Sequence, residues 1–389
     1  MPRRTRAALI TTTCLLSTLL LPAGRAAAAP APGCTGTLWT SGTDGYHTYR
    51  IPAVVNVRGT LVAFAEARRD SAADNGDIEV VQRRSTDGGC TWSPQRVVAD
   101  EGHDTIGNPT PLVTASGTLV LLTNRQKGAV TIGQIEAGTV TVADGRRVYV
   151  QTSQDAGGSW SARREITSSV KKAAWRWYAT GPGHGLTLTQ GPDRGRLVAA
   201  AYHSEPGKQG VDLLLSDDDG RSWRLGASET RNNKVINPGE SSAAQLPDGR
   251  IYVSARNSGG SSGVNRAAAY SETAGRTFTG PFRPLPAITT PPVQGTVLQD
   301  PGYPAGVTCA PLLYAGPQDP TARRHLTLRR SDDGGGSWRT VTDLTPATGP
   351  AAYSDMTKIS RTKVGVAYET GTSNPYQRIA WRSVTLNCP

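Results

Sequence analysis

One eight-residue pattern, Ser-x-Asp-x-Gly-x-x-Trp, recurs along this chain and limits its fold more than any other feature. It stands at Ser85–Trp92, Ser153–Trp160, Ser216–Trp223 and Ser331–Trp338, and a fifth, worn copy reads SETAGRTF over Ser271–Phe278. Successive copies start 68, 63, 55 and 60 residues apart. Spacing this regular means that one supersecondary unit of about 60 residues is reused around the molecule. Each copy also has a local logic. A strand runs into the Ser, the Asp side chain accepts turn amides, the Gly supplies positive φ, and the Trp packs over the turn. The pattern is therefore a hairpin staple on the outer part of each unit and carries no chemistry of its own.

Between the copies the chain reads as short strands such as Leu61–Phe64, Arg147–Thr152, Arg250–Ser254 and Lys363–Tyr368, separated by Asp-Gly and Gly-Gly turns. No 12-residue amphipathic helical stretch is present. The 44 Gly and 27 Pro agree with a turn-rich all-β chain. Five copies leave room for one more unit, which residues 35–84 and 340–389 supply jointly as the chain ends close a ring. The expected fold is all-β, a six-bladed β-propeller of four-stranded antiparallel blades, in a single domain over residues 30–389. Pro281–Pro311 reads as a long excursion within that ring.

The first 29 residues read as a signal peptide: Arg3, Arg4 and Arg6 precede an apolar stretch from Ala7 to Leu21, and Ala26–Ala29 offers small residues for cleavage. That stretch is short for a membrane span, so a secreted chain without a membrane anchor is expected. The formal net charge of +11 comes from 35 Arg and 7 Lys against 31 acidic residues. These basic residues are scattered, which argues against nucleic acid as a partner. Four cysteines follow the leader, and an even number in a secreted chain suggests two disulfides. Of the three possible pairings, Cys34–Cys388 with Cys90–Cys309 is expected, because it ties the two ends of the chain. The sequence has no Cys-x-x-Cys and no paired His motif, so neither a metal nor another cofactor is expected.

Near the start lies Tyr49-Arg50-Ile51-Pro52. An Arg-Ile-Pro signature followed by repeated Asp boxes resembles the secreted, non-viral bacterial sialidases (neuraminidases), and the likeness covers nearly the whole mature chain. It is supported by Phe64–Arg68, Gly107–Pro111, Trp177–Gly185, Asn237–Ser242, Ser254–Asn257 and Tyr353–Asp355. The resemblance implies a glycoside hydrolase that removes terminal sialic acid from glycoproteins, glycolipids or oligosaccharides; a monomer is expected. Sialidases with a Tyr nucleophile depart from the two-carboxylate scheme of most glycosidases. A Tyr is neutral near pH 7, with an ordinary pKa of about 10, and so requires a base beside it and positive charge around it.

The family holds the sugar carboxylate with three arginines, matched here by Arg50, Arg256 and Arg323, with Arg324 the neighbouring alternative for the third. Tyr353 matches the nucleophile and Glu240 the carboxylate that takes its proton. Glu369 matches the acid that orients the first Arg. The general acid/base is an Asp in the segment Arg68–Asp77. Asp74, in the Asp-Asn-Gly tip, is chosen over Asp70 and Asp77, and Arg68 matches a further family Arg that contacts the substrate carboxylate side or that loop. Trp177, Tyr178 and Asn108 are candidates for the pocket wall, with interblade packing favoured for Trp177. His184 and His203 have no partner readable in the sequence. Two other classes share these features: a transglycosylase on the same fold, and a sialic-acid lectin that keeps the arginines without the catalytic set.

Overall fold

Strands rich in β-branched and small residues, broken by Gly turns, pair in antiparallel runs of four along the chain. The computed structural model describes residues 1–2, 33–233, 235–259, 264–299 and 311–386. The fold below is that of the compact unit Gly33–Pro389. The expected signal peptide, apart from Met1 and Pro2, lies outside the described residues, as do Cys309 and Cys388.

Four sheets stand separately. Tyr178–Thr180, Leu197–Glu205, Lys208–Ser216 and Arg224–Arg231 form one, with the short Leu186–Thr187 also pairing to Leu197–Glu205. Pro238–Gln245, Ile251–Asn257, Arg266–Ser271 and Arg283–Pro284 form the next, and Thr296–Leu298, Leu312–Pro317, Leu326–Ser331 and Arg339–Asp343 the third. In the fourth, Ala351–Ser360, Lys363–Thr370 and Arg378–Thr385 are completed by the N-terminal strand Thr35–Thr40, which pairs antiparallel with Arg378–Thr385. Strands from both ends of the described chain thus share one sheet.

The remaining strands do not make two further separate blades. They form one eight-stranded sheet, in which Thr48–Val57, Thr60–Arg68, Ile78–Ser85 and Arg96–Ala99 join Thr105–Val113, Leu119–Gln126, Arg147–Ser153 and Arg164–Glu165. The join is a single parallel pair, Ile78 with Thr105. Its cause is local: Arg96–Ala99 covers only Val80–Gln82, which leaves Ile78 open to Thr105. The Thr105 hydroxyl reinforces the join by bonding the Gly76 carbonyl at 2.8 Å.

A burial gradient follows from this arrangement. The inner strand Pro238–Gln245 is buried along its whole length, and the outer strand Arg339–Asp343 has no buried residue. Aliphatic side chains fill the space between neighbouring sheets: Leu213 and Leu215 meet Ile251 and Val253, while Leu313 and Leu328 meet Met356 and Val366. The inner strand Thr48–Val57 lies against Ala351–Ser360, so the first sheet meets the last. This is a propeller arrangement, all-β apart from the short helices Ile132–Ala137 and Thr167–Val170. The first of these is closed by a Thr131/Gln134 capping box and by Gly138, signals too short to show as periodicity.

The repeated turns are stapled by their own side chains. In the first, Asp87 Oδ1 accepts from Ser85 Oγ at 2.7 Å and from the amides of Cys90 and Thr91 at 3.0 Å. In the other three turns Asp155, Asp218 and Asp333 likewise accept from the Ser hydroxyl two residues before and from the amide four residues after. In the worn copy Thr273 stands where the Asp would be, and its hydroxyl still accepts the Thr277 amide at 2.9 Å. Each turn also docks on the neighbouring sheet. Gly89 has φ +90° and packs so closely that an added Cβ would lie 2.0 Å from Trp381 Nε1.

That docking explains a correction. Cys34 is bonded to Cys90, with Cα atoms 4.8 Å apart, so the expected pairings Cys34–Cys388 and Cys90–Cys309 are both overturned. The turn carrying Cys90 sits against Trp381, in the strand that pairs with Thr35–Thr40. Cys34 immediately precedes that edge strand, and its amide bonds Ser383 Oγ at 2.8 Å. The Pro281–Pro311 stretch also differs from a plain excursion: it supplies the edge strand Arg283–Pro284 and the inner strand Thr296–Leu298.

Candidate active site

The inner strands share a local device. Each of four changes register with its neighbour near its start: between Arg50 and Ala53, Gly107 and Thr110, Pro238 and Ser241, and Ala351 and Ser354. Bulges of this kind bend a strand and re-aim its side chains. In two of them a residue preceding proline takes positive φ, Ile51 at +57° and Asn108 at +50°. That conformation is costly for a β-branched residue such as Ile51, and each strained amide is held by a buried carboxylate. Ile51 N donates to Glu369 Oε1 at 2.9 Å, and Asn108 N donates to Glu66 Oε1 at 2.8 Å. Gly107 is required beside the second, since a Cβ there would lie 2.3 Å from Glu66 Oε1.

Each of these carboxylates also grips an arginine. Arg50 Nε donates to Glu369 Oε1 at 2.7 Å, and Glu369 Oε2 accepts the Tyr353 amide at 3.1 Å. Arg68 Nη2 donates to Glu66 Oε2 at 2.6 Å. From there Arg68 Nη1 reaches the carbonyls of Ala72 and Ala73 at 2.6 and 2.8 Å and the Asp74 carboxylate at 2.8 Å. One buried guanidinium thus organises the whole Asp74 loop.

At the bulges the side chains converge on a cavity of about 490 Å³. Of the residues singled out in the sequence, Arg50, Arg68, Asp74, Glu240, Arg256, Arg323 and Tyr353 line it. Glu369 is fully buried behind Arg50 and does not line it. Tyr353 Oη donates to Glu240 Oε1, and Arg256 Nη1 donates to Glu240 Oε2 at 3.1 Å. The guanidinium carbons of Arg50 and Arg323 lie 5.1 and 5.6 Å from the centre of the Tyr353 ring.

The alternatives lie elsewhere. Asp77 is engaged with Arg69 and His103, and neither it nor Asp70 lines the cavity. Arg324 turns to Asp319 at 2.6 Å, away from the site. None of the repeated turns lines the cavity. A second cavity, of about 300 Å³, is lined largely by aliphatic side chains such as Val55, Val113, Leu298 and Leu313.

The charges here perturb one another. Burial pushes the Tyr353 phenol well above its ordinary range and the nearby Glu240 adds to this, while Arg256, Arg50 and Arg323 pull it back. For Asp74 burial pushes upward, but Arg68, Arg50 and Arg146 outweigh it and the net shift is downward. Asp74 is therefore ionised at neutral pH. Arg146 is pushed down to about 10 by its burial, partly offset by Tyr202, Glu66 and Asp74. Among the described residues, no group of three or more His, Cys, Asp or Glu is placed to hold a metal ion, and no helix is long and apolar enough to cross a membrane.

Arg146, Tyr202, Gln209 and Tyr376 line the cavity but escaped the sequence reading, whereas Asn108 and Trp177 were among its candidates. Arg146 bonds Asn108 Oδ1 at 2.8 Å and lies 4.2 Å from the centre of the Trp177 ring. Both Asn108 and Trp177 line the cavity, although Trp177 also packs on Ile135 and Ala179. Tyr178 turns away and bonds the Val170 carbonyl at 3.1 Å. Tyr202, Gln209 and Tyr376 complete part of the wall. The only signal for Glu66 was its place in Phe64-Ala-Glu-Ala-Arg68, two residues before Arg68. His184 and His203 do have partners, Asp355 and Asp212, each at 2.7 Å.

Comparison with known proteins gives a consistent result. Residues 59–366 match a family model described as a BNR repeat-like domain. The chain is similar to an exo-alpha-sialidase of Aspergillus fumigatus, 31% identical over 379 residues that cover 88% of this chain and 85% of that protein. A sialidase of Micromonospora viridifaciens is 29% identical over 92% of this chain and 57% of its own length, so the chain spans little more than half of that relative. Among solved structures, the Hadza microbial sialidase Hz136 matches with a TM-score of 0.76 and 25% identity, over 89% of this chain and 67% of that one.

Proposed function

This chain belongs to the sialidase family of BNR repeat-like proteins and is a glycoside hydrolase, and from that premise we propose that it is a retaining exo-α-sialidase acting on sialylated glycoproteins, glycolipids or oligosaccharides. The observation that carries the reading is the meeting, in one cavity, of three arginines, a Tyr353–Glu240 pair and Asp74. About 490 Å³ suits one sugar, being within the 300–1,000 Å³ usual for small-molecule sites.

In this proposal Arg50, Arg256 and Arg323 bind the substrate carboxylate. The Tyr353 oxygen attacks the anomeric carbon as its proton passes to Glu240. The bond to the leaving group breaks, and Asp74 protonates the departing oxygen. Water then attacks the Tyr-linked sugar with Asp74 as base, Tyr353 recovers its proton from Glu240, and configuration is retained. A neutral Tyr avoids bringing a second anion beside the substrate carboxylate. Burial keeps the phenol protonated until Glu240 takes its proton.

Asp74 must carry a proton to act as acid, yet its pKa is lowered by the surrounding arginines. A substrate carboxylate on Arg50 offsets one of the charges that lower it, so binding itself raises the Asp74 pKa. We read the eight-stranded sheet as two blades fused through the Ile78–Thr105 pair, which makes the ring six-bladed. We further propose a leader over residues 1–29 and action outside the cell as a monomer.

The test is release of free sialic acid from a fluorogenic α-sialoside, with NMR of the first-formed anomer. The α anomer is expected. A first-formed β anomer excludes the retaining route, a product other than free sialic acid points to transglycosylation, and binding without turnover points to a lectin.

A further inference from the structure

The three arginines are not anchored alike. Arg50 is paired with Glu369 and Arg256 with Glu240. Among the described residues Arg323 has no carboxylate partner. Its Nη1 donates instead to the Tyr376 hydroxyl at 2.6 Å. The same Tyr376 ring lies under Arg50, whose guanidinium carbon is 4.1 Å from the ring centre. One neutral side chain therefore touches two of the three cations, by its edge oxygen and by its face.

The backbone of Tyr376 is held from both sides. It sits in the turn between Lys363–Thr370 and Arg378–Thr385. Its amide donates to Asn374 Oδ1 at 2.8 Å, and its carbonyl accepts from Ser41 Oγ at 2.7 Å. The ring is thus presented to the cavity from a fixed base and is part of its lining.

We propose that Tyr376 is the positioning residue of the anion clamp, holding Arg323 in place without neutralising it. This rests on the reading that the three arginines bind a substrate carboxylate. A carboxylate anchor fixes an arginine but also cancels most of its charge. A phenol oxygen fixes the geometry through one charge-assisted hydrogen bond and leaves the net charge free. Arg323 then keeps the largest uncompensated charge of the three for the incoming anion. The ring face gives Arg50 a cation–π contact, so both guanidinium groups are held in plane despite their mutual repulsion.

The test compares wild type with Tyr376→Phe, which keeps the ring under Arg50 and removes only the hydroxyl. Inhibition is measured with an unsaturated sialic acid analogue and with its methyl ester, alongside KM and kcat on a fluorogenic sialoside. Wild type should prefer the acid strongly. In Tyr376→Phe, KM and the inhibition constant for the acid should rise about tenfold, the scale of a lost hydrogen bond to a charged group, with little change for the ester and a smaller change in kcat. Equal losses for acid and ester mean a merely structural role and overturn the proposal, as does an unchanged acid-to-ester ratio. Should Tyr376→Phe fail to fold, 3-fluorotyrosine at position 376 weakens the same acceptor, and there too an unchanged ratio overturns it. If wild type neither cleaves the sialoside nor prefers the acid, the functional reading itself is wrong, which is a distinct result.

Discussion

The rim and the centre of this molecule solve the same problem, placing carboxylates, in opposite ways. On the rim, Asp87 is satisfied by Ser85, Cys90 and Thr91, none more than four residues away. At the centre, Glu369 holds Arg50 and Ile51 across more than 300 residues of sequence, and Glu240 meets Tyr353 across 113. The rim carboxylates accept hydrogen bonds from amides and hydroxyls of their own turns, which fixes the turn and leaves nothing for a ligand. The central carboxylates each divide their oxygens between a cation and a backbone amide or phenol. What differs is reach: local bonds make a staple, and bonds across the ring make a charged site.

The strongest way to break this comparison is at the centre. Tyr353→Phe should lower kcat on a fluorogenic sialoside by about a hundredfold or more, since both attack and proton passage to Glu240 are lost. Its melting temperature should stay near wild type. Retention of wild-type turnover would falsify the assignment of the nucleophile.

Asp74→Asn sharpens the same point. With an alkyl leaving group kcat should fall on the order of a hundredfold, and with an acidic phenol much less, because only the former requires a proton. Asp70→Asn and Asp77→Asn should stay close to wild type on both substrates. In the wild type, the alkaline limb of kcat should lie at higher pH than that of kcat/KM, because bound carboxylate raises the Asp74 pKa from its lowered value in the free enzyme. Coincident limbs would remove that linkage.

Glu66→Gln tests whether a central carboxylate also supports the fold. It removes the buried one of the two carboxylates paired with Arg68 and leaves only Asp74, and about 3 kcal/mol of stability should be lost in denaturant unfolding. KM should rise as the Asp74 loop loosens. Unchanged stability with altered KM would mean that Glu66 serves the site alone.

Asp87→Ala is the smallest perturbation and the mirror image of Tyr353→Phe. Melting should fall while kcat/KM holds. Hydrogen bonds from Thr91 and Ser85 keep the Asp87 pKa below the ordinary carboxylate range. Its contribution to stability is therefore present above that range and lost as pH falls through the lowered value, so the variant should lose less stability on acidification than wild type. Lost turnover with unchanged melting would erase the division between rim and centre.

Much of the fold and of the site is legible in the sequence. The turn chemistry of Ser85–Trp92 depends on residues two to four apart, and its recurrence implied a ring of repeated sheets. The resemblance carried by Arg50-Ile51-Pro52 and Tyr353 named Arg256, Arg323, Glu240 and Asp74, which line one cavity. Glu66 was not legible, because its task is to hold the amide of Asn108, 42 residues away. Tyr376 looked like any turn tyrosine, since only packing brings its ring to Arg50.

By itself, then, the sequence determined the repeat, the staples and the chemical types needed at the centre, because these rest on contacts within a turn or on residue identity. Only the tertiary structure decided the fused sheet, the Cys34–Cys90 bond and the different anchors of the three arginines. Each of these depends on which edges and loops ring closure brings together. Closure sets distances between segments remote in the chain, and no local pattern encodes them.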